Sequence, residues 1–203
     1  KVAVLGASGI GKFHAREYKR AGSEVVAILG RNKKTADETA RNLSSEFGIS
    51  AKAYSDLDEL IQSESIDAAS VCTPPKLHYT QVKKCLEASI HVICEKPFVS
   101  NSYSENFNSA KELVELSEKH ERVLTVNTQW PSMLPYIESQ VDLSKLKSFV
   151  METQPGATGV DMLPDHLPHT NSMVVRLISG GHAEDIKFVK SSEENIIVNF
   201  KYL

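Results

Sequence analysis

A basic excess, a long apolar run and paired cysteines are all missing from this 203-residue chain. Lys and Arg number 23 against 26 Asp and Glu, for a net charge of −3. No cationic surface therefore points to nucleic acid or to an anionic membrane. The longest apolar runs are a handful of residues, as in Val25-Val26-Ala27-Ile28-Leu29, far short of the ~20 that a membrane-spanning helix needs. The three cysteines, Cys72, Cys85 and Cys94, contain no CxxC spacing. That argues against a disulfide framework or a zinc knuckle and for a reducing, cytoplasmic setting. The chain starts Lys1-Val2-Ala3-Val4-Leu5-Gly6, with no basic-then-apolar leader, and is read as a trimmed chain rather than a secreted precursor. Internal repeats and low-complexity tracts are absent too. What is left is a globular protein, 41% hydrophobic and 24% charged, of one medium domain or two small ones.

The first two-thirds alternates short β-branched runs with longer amphipathic stretches. Strands are expected at Lys1–Leu5, Glu24–Leu29, Ala51–Tyr54, Asp67–Cys72, His91–Cys94 and Val123–Val126. Helices are expected over Gly9–Ala21, Lys33–Phe47, Asp56–Gln62 (capped by Ser55), the stretch from Pro75 to about Ser89, and the segment after Ser102-Tyr103-Ser104-Glu105, which has the form of a capping box. Such alternation implies right-handed crossovers and a doubly wound parallel sheet covered on both faces, the α/β class. The near-continuous apolar strands fit, because both sheet faces are buried. From about Gln129 the rhythm changes. Trp130, Pro131 and Pro135 lead into a short helix, and a helical stretch ends near Ser179-Gly180-Gly181. Three strands are expected here, Leu146–Met151, Asp185–Lys190 and Ile196–Tyr202, the last two joined by the polar turn Ser191-Ser192-Glu193-Glu194. The expected division is 1–127 for a nucleotide-binding domain and 128–203 for a smaller α+β domain.

Gly6-Ala7-Ser8-Gly9-Ile10-Gly11 falls where the first strand meets the first helix. Glycines there let the backbone turn tightly and approach a pyrophosphate, which the helix N-terminus then holds. Ser8 occupies the middle position of the GxGxxG pattern and offers a hydroxyl instead. The bland alternative is a glycine turn that serves only helix–strand packing. After the second strand comes Leu29-Gly30-Arg31-Asn32-Lys33-Lys34, with no carboxylate before Asp37. An acidic residue at that point would hold the ribose 2′-hydroxyl of NAD, whereas Arg31 can stack on adenine and pair with a 2′-phosphate. The pattern points to NADP, with NAD the alternative.

Two further segments carry a family signature. Thr73-Pro74-Pro75-Lys76-Leu77-His78 follows the fourth strand and Glu95-Lys96-Pro97 the fifth. With Gly11-Lys12-Phe13-His14, they make the chain resemble the glucose–fructose oxidoreductase / inositol dehydrogenase / MocA (Gfo/Idh/MocA) family, nearly end to end over 1–127 and more loosely to about 183. The resemblance implies a Rossmann domain followed by a domain built on an open-faced antiparallel sheet, here much shortened. It implies that Lys96 lies beside the nicotinamide and the substrate carbinol, where an ammonium stabilises developing charge or relays a proton. It also carries Gly6, Ser8, Gly9, Ile10, Gly11, Arg31, Asn32, Thr73, Pro74, Pro75, His78, Glu95 and Lys96 over as cofactor-binding positions, Glu95 holding either Lys96 or the ribose. Asp165-His166-Leu167-Pro168-His169 supplies the family's Asp and His four residues apart. His169 is then the general acid/base and Asp165 its support, although Pro168 and the extra His166 depart from the usual pattern.

The resemblance implies an NADP(H)-dependent oxidoreductase of a small polyol, sugar or related carbonyl substrate, without a metal. The alternative is a non-catalytic dinucleotide sensor or co-regulator on the same fold. Tyr79-Thr80-Gln81-Val82-Lys83 spells the YxxxK of short-chain dehydrogenases, but the tyrosine comes too early and lies in an expected helix. Asp165, His166, His169 and His182 can also be read as metal ligands. Trp130 either lines a pocket or fills the domain junction. Ile196, Val198 and Phe200 share one apolar strand face, which suggests either a chain lacking segments or a homo-oligomer, a dimer or dimer of dimers, that covers this face.

Overall fold

The computed structural model describes residues 1–100, 102, 104–146, 148–154, 156, 158–178, 181–190 and 196–202. Its contacts divide the chain into two compact units, Lys1–Asn127 and Thr128–Leu203.

The first unit is built on six parallel strands: β1 (Val2–Leu5), β2 (Val25–Leu29), β3 (Lys52–Tyr54), β4 (Ala68–Val71), β5 (His91–Cys94) and β6 (Leu124–Val126). They lie in the order β3-β2-β1-β4-β5-β6, the doubly wound arrangement whose direction of winding reverses between β1 and β4. Alternation along β1 explains the two-sided core. Val2 and Val4 pack with Ala15, Leu43 and Ile49, and so against α1 (Gly11–Arg20) and α2 (Lys33–Phe47). Ala3 and Leu5 face the other way, toward Leu57 and Leu60 of α3 (Leu57–Ser63), Val82 and Leu86 of α4 (His78–Glu87), and Leu113 of α5 (Asn106–Lys119). A register shift opposite Val2/Ala3 lets Val26 and Ala27 both join this second cluster, as a bulge does.

Local signals place the helix ends. Asn32 accepts a side-chain hydrogen bond from Thr35 N–H, and the Thr35 hydroxyl accepts one from Asn32 N–H, a capping box that starts α2. Gly48, at φ 63°, ends it. The Ile49 N–H then reaches back to the Leu43 carbonyl, closing the turn in the Schellman manner. Asp56, not Ser55, caps α3, because its carboxylate accepts from Glu59 N–H. Ser102 does not cap a helix through a backbone N–H. Its hydroxyl donates to the Glu105 carboxylate, and α5 begins only at Asn106; Tyr103 lies outside the described residues.

In the second unit a 3-10 turn at Trp130–Met133 leads into α6 (Leu134–Glu138). The expected strand over Leu146–Met151 does not form among the described residues of that span. Leu146, Phe149 and Val150 are apolar but exposed, and no strand pairs with them among the described residues; alternation without a partner makes no ladder. The long helix α7 (Met162–Ile178) buries Met162, His169 and Met173, a spacing that lines up one helix face. β7 (Ala183–Lys190) and β8 (Ile196–Tyr202) form an antiparallel pair; the turn between them, 191–195, lies outside the described residues. Phe188, Val198 and Phe200 line a cavity of about 310 Å³ with Leu167 and Val174 of α7. Val198 and Phe200, expected on a face that a partner covers, share this cavity with α7 of the same unit, while Phe188 beside them stays 59% exposed. The Ile196 side chain lies outside the described residues.

Candidate active site

The glycine loop is shaped by close backbone approach. Gly6 takes φ 86°, and a Cβ there would lie 2.7 Å from the Cys72 carbonyl oxygen. A Cβ on Gly11 would meet the Gly6 carbonyl at 2.5 Å. Both glycines are therefore demanded by the packing of the loop against the turn after β4. Gly9 differs, because a Cβ there would point into open space. No side chain caps α1; the N–H groups of Lys12, Phe13 and His14 donate to the Gly9 and Ile10 carbonyls, so an anion at this helix start would meet the loop amides ahead of them.

Beside this loop runs a cleft of about 850 Å³. Gly6, Ala7 and Ser8 form one wall, Gly30 and Arg31 another, and Thr73, Pro74 and Lys76 a third. These residues follow the carboxyl ends of β1, β2 and β4, the crevice at which this topology binds ligands. Thr35, Glu38, Asn42, Ser55 and Gln81 also line it. Sequence reasoning passed over them because they sit inside helices or a loop with no motif of their own. Lys33 is paired with Asp37 at 2.6 Å. The Asn32 side-chain oxygen is committed to the α2 cap, which leaves its amide nitrogen for a ligand.

Glu95 and Lys96 follow β5 at the centre of a buried polar web. Glu95 Oε1 accepts from Asn127 Nδ2 at 2.5 Å and lies 3.0 Å from His14 Nε2. Its Oε2 accepts from Lys96 N–H at 3.2 Å. Of the two roles expected for Glu95, this geometry carries the first: it holds Lys96, by the backbone. His14 Nδ1 lies 2.8 Å from Ser70 Oγ. Contacts with Cys72 and then Glu95 raise His14 from 6.5 to about 10, against the opposing effect of burial. Burial pushes Glu95 upward, but the His14 and Asn127 hydrogen bonds outweigh it and hold the carboxyl below its usual value. Asn127 and Ser70 escaped sequence reasoning. His14 was visible only as a letter of a motif.

His78, expected among the cofactor-binding residues, has a fully buried ring, with Nε2 2.7 Å from the Thr73 carbonyl and Nδ1 2.9 Å from the Pro97 carbonyl. Both nitrogens face protein carbonyls, so the ring ties the two loops together. The Thr73 hydroxyl donates to Gln81 Oε1 at 2.6 Å. The YxxxK pair is surface chemistry: the Tyr79 hydroxyl and Lys83 Nζ both donate to Glu112 of α5. Cys85 is pushed up to about 12 by burial, and Cys94 is raised by the same cause. Both stay inert thiols.

Asp165 and His169 lie on α7 of the second unit. Asp165 Oδ2 lies 3.3 Å from His166 Nε2. The His169 ring is buried, edge-on to Trp130 at 6.4 Å and to His166 at 6.0 Å. His182, further along, pairs with Glu184 at 2.8 Å. Among the described residues, no helix is long and apolar enough to cross a membrane.

Comparison with known proteins agrees with this geometry. Residues 1–128 match the family described as "Oxidoreductase family, NAD-binding Rossmann fold" (GFO_IDH_MocA). An uncharacterized oxidoreductase of Schizosaccharomyces pombe is 34% identical over 136 residues, covering 64% of this chain and 34% of that protein. The myo-inositol 2-dehydrogenase of Thermotoga maritima is 34% identical over 101 residues, 50% of this chain and 29% of that protein. The solved UDP-N-acetylglucosamine 3-dehydrogenase of Acidithiobacillus ferrooxidans has the same fold, with a TM-score of 0.72 at 19% identity, over 98% of this chain and 65% of that one. The chain thus spans less than two thirds of the length of each of these relatives. With the family match over more than half of its residues and the parallel sheet that carries its glycine loop, the chain belongs to the Gfo/Idh/MocA family of oxidoreductases with an NAD-binding Rossmann fold.

Proposed function

We propose that the protein is an NADP(H)-dependent oxidoreductase that moves hydride between nicotinamide and a carbinol or carbonyl carbon of a small polyol or sugar. The observation that carries this reading is the cleft at the β1/β4 reversal, walled by the glycine loop, Arg31 and the Thr73 turn. The residues fit a dinucleotide. Gly9 leaves room for close approach, and the glycine loop leading into α1, with no side chain capping it, suits a pyrophosphate. Arg31 stands where the adenosine end would lie, with no carboxylate directly after β2, which supports NADP over NAD. When bound, the nicotinamide supplies or accepts the hydride.

The chain's own residues manage the oxygen. As a carbinol loses hydride from carbon, its hydroxyl proton must leave. Lys96, held through its N–H by Glu95, stabilises the developing negative charge. His169 takes the proton and Asp165 supports it. A polyhydroxylated substrate is supported by two relatives whose names specify myo-inositol and UDP-N-acetylglucosamine. For assembly we propose a homo-oligomer, supported by Val189 and Ile197. They pair across the hairpin on the face turned away from α7, and each is about half exposed. The first unit is then the cofactor domain, and the second supplies substrate contacts and assembly.

The test is NADPH oxidation against a panel of sugar and inositol ketones, with fluorescence titration of NADPH and NADH. Turnover that the Lys96→Ala variant loses supports the enzyme. Tight NADPH binding with no turnover on any carbonyl moves the protein to the sensor reading. Equal or tighter binding of NADH defeats the NADP assignment.

A further inference from the structure

We propose that His14 and His78 are positioning residues that clamp the Glu95-Lys96-Pro97 segment from both ends, tying the placement of Lys96 to the glycine-loop helix on one side and to the Thr73 turn on the other. The inference rests on the reading of Lys96 as the group that meets the reacting oxygen.

The clamp is visible in the hydrogen bonds. On the N-terminal side, His14 reaches from the first turn of α1 to Glu95 Oε1, and the other oxygen of that carboxylate accepts from Lys96 N–H. Asn127 donates to the same Oε1, and Ser70 Oγ sits on the far side of the imidazole. On the C-terminal side, His78 meets the Pro97 carbonyl with one nitrogen and the Thr73 carbonyl with the other. Lys96 is therefore flanked by two residues, each fixed by a histidine from a different helix. One helix begins at the glycine loop; the other follows the Thr73 turn.

A filler role does not account for this. Apolar side chains would fill the same volumes without setting polar nitrogens against a carboxylate and two backbone carbonyls. Reactive groups need their supports locked before substrate arrives, and here the locks belong to elements that wall the cofactor cleft. The groups facing His14 are Tyr18 on its own helix, Ser70 and Cys72 from β4 and its exit, Glu95 after β5 and Asn127 after β6. Among them, Cys72 and Glu95 raise His14 to about 10, so the imidazolium–carboxylate pair persists across neutral pH.

The test reads Lys96 directly and needs no turnover. The intact protein is labelled with trace acetic anhydride over a range of pH, and the acetylation rate of each lysine is read by peptide mass spectrometry. His14→Gln and His78→Gln should each change the Lys96 rate by about three- to tenfold, the scale of one ordinary hydrogen bond lost. Lys33 and Lys111 serve as unchanged references. The double variant His14→Gln/Glu95→Gln should change the Lys96 rate no more than Glu95→Gln alone, because His14 acts on Lys96 through that carboxylate; additive effects of the two substitutions would overturn this arm of the clamp. Circular dichroism checks folding. If His78→Gln does not fold, the His14 single and double variants decide alone. A Lys96 rate unchanged in the folded variants overturns the clamp. An altered rate in a protein that turns over no carbonyl would keep the clamp while removing the enzymatic reading.

Discussion

Asn127 Nδ2 donates to Glu95 Oε1 at 2.5 Å, although 32 residues separate them. The bond joins the exit of β6 to the exit of β5 and supplies one of three donors, with His14 and the Lys96 N–H, to a carboxylate that is nearly out of solvent. Asn127→Leu removes the donor and keeps the bulk. It should cost about 1.5–3 kcal/mol, the range for a hydrogen bond to a charged group. Urea unfolding of the purified variant measures it, and an unchanged midpoint would remove the bond from the stabilising set.

The His14–Glu95 pair predicts a pH dependence of stability. His14 is raised from 6.5 to about 10, so its contribution is complete below about pH 6.5 and fades as pH rises through 10. Glu95 is depressed below its ordinary 4.5, so its contribution is complete above that value and fades as pH falls through the folded value. The pair stabilises most between these limits. Unfolding midpoints should decline from pH 6.5 to 10 in the wild type, and His14→Gln should flatten that decline. Parallel slopes in the two proteins would contradict the assignment.

Arg31 should govern cofactor choice. A charged pair with a 2′-phosphate contributes about 1.5–3 kcal/mol, so preference for NADPH over NADH should be about ten- to a hundredfold. Arg31→Ala should weaken NADPH far more than NADH in fluorescence titrations. A uniform loss for both would make Arg31 an adenine contact only.

Lys96→Ala should lower kcat by roughly 10²–10⁴ while cofactor affinity changes little, as expected for a positioned electrostatic or proton-transfer group. His169→Ala should slow turnover as well, and His166→Ala much less. The 3.3 Å contact of Asp165 with His166 makes this comparison informative. If His166→Ala proves the more damaging, the acid/base role belongs one turn earlier on α7.

The layers of the first unit are legible in sequence because their signals are local. His91–Cys94 and the full length of α2 are recovered as read, since short apolar runs and the Asn32 and Gly48 boundaries need only their neighbours. Side-chain partnerships are another matter. His14 and Glu95 stand 81 residues apart, and no periodicity connects them. His78 carries the same difficulty: its letter in a motif does not say whether it faces a ligand or two backbone carbonyls. In the second unit, Leu146, Phe149 and Val150 have the composition of a strand, but a strand is a relation with a neighbour, and that relation is not encoded within the segment.

The two edges of the parallel sheet are its shortest strands. β3 and β6 have three residues each, and Lys52 on β3 is held in an ion pair with Glu64. Another chain that tried to extend this sheet would find only a few backbone groups to bond with and a lysine in the way. Fibril-like growth from the first unit is thereby discouraged, and self-association of that unit is left to its side-chain surfaces rather than to continuation of its sheet.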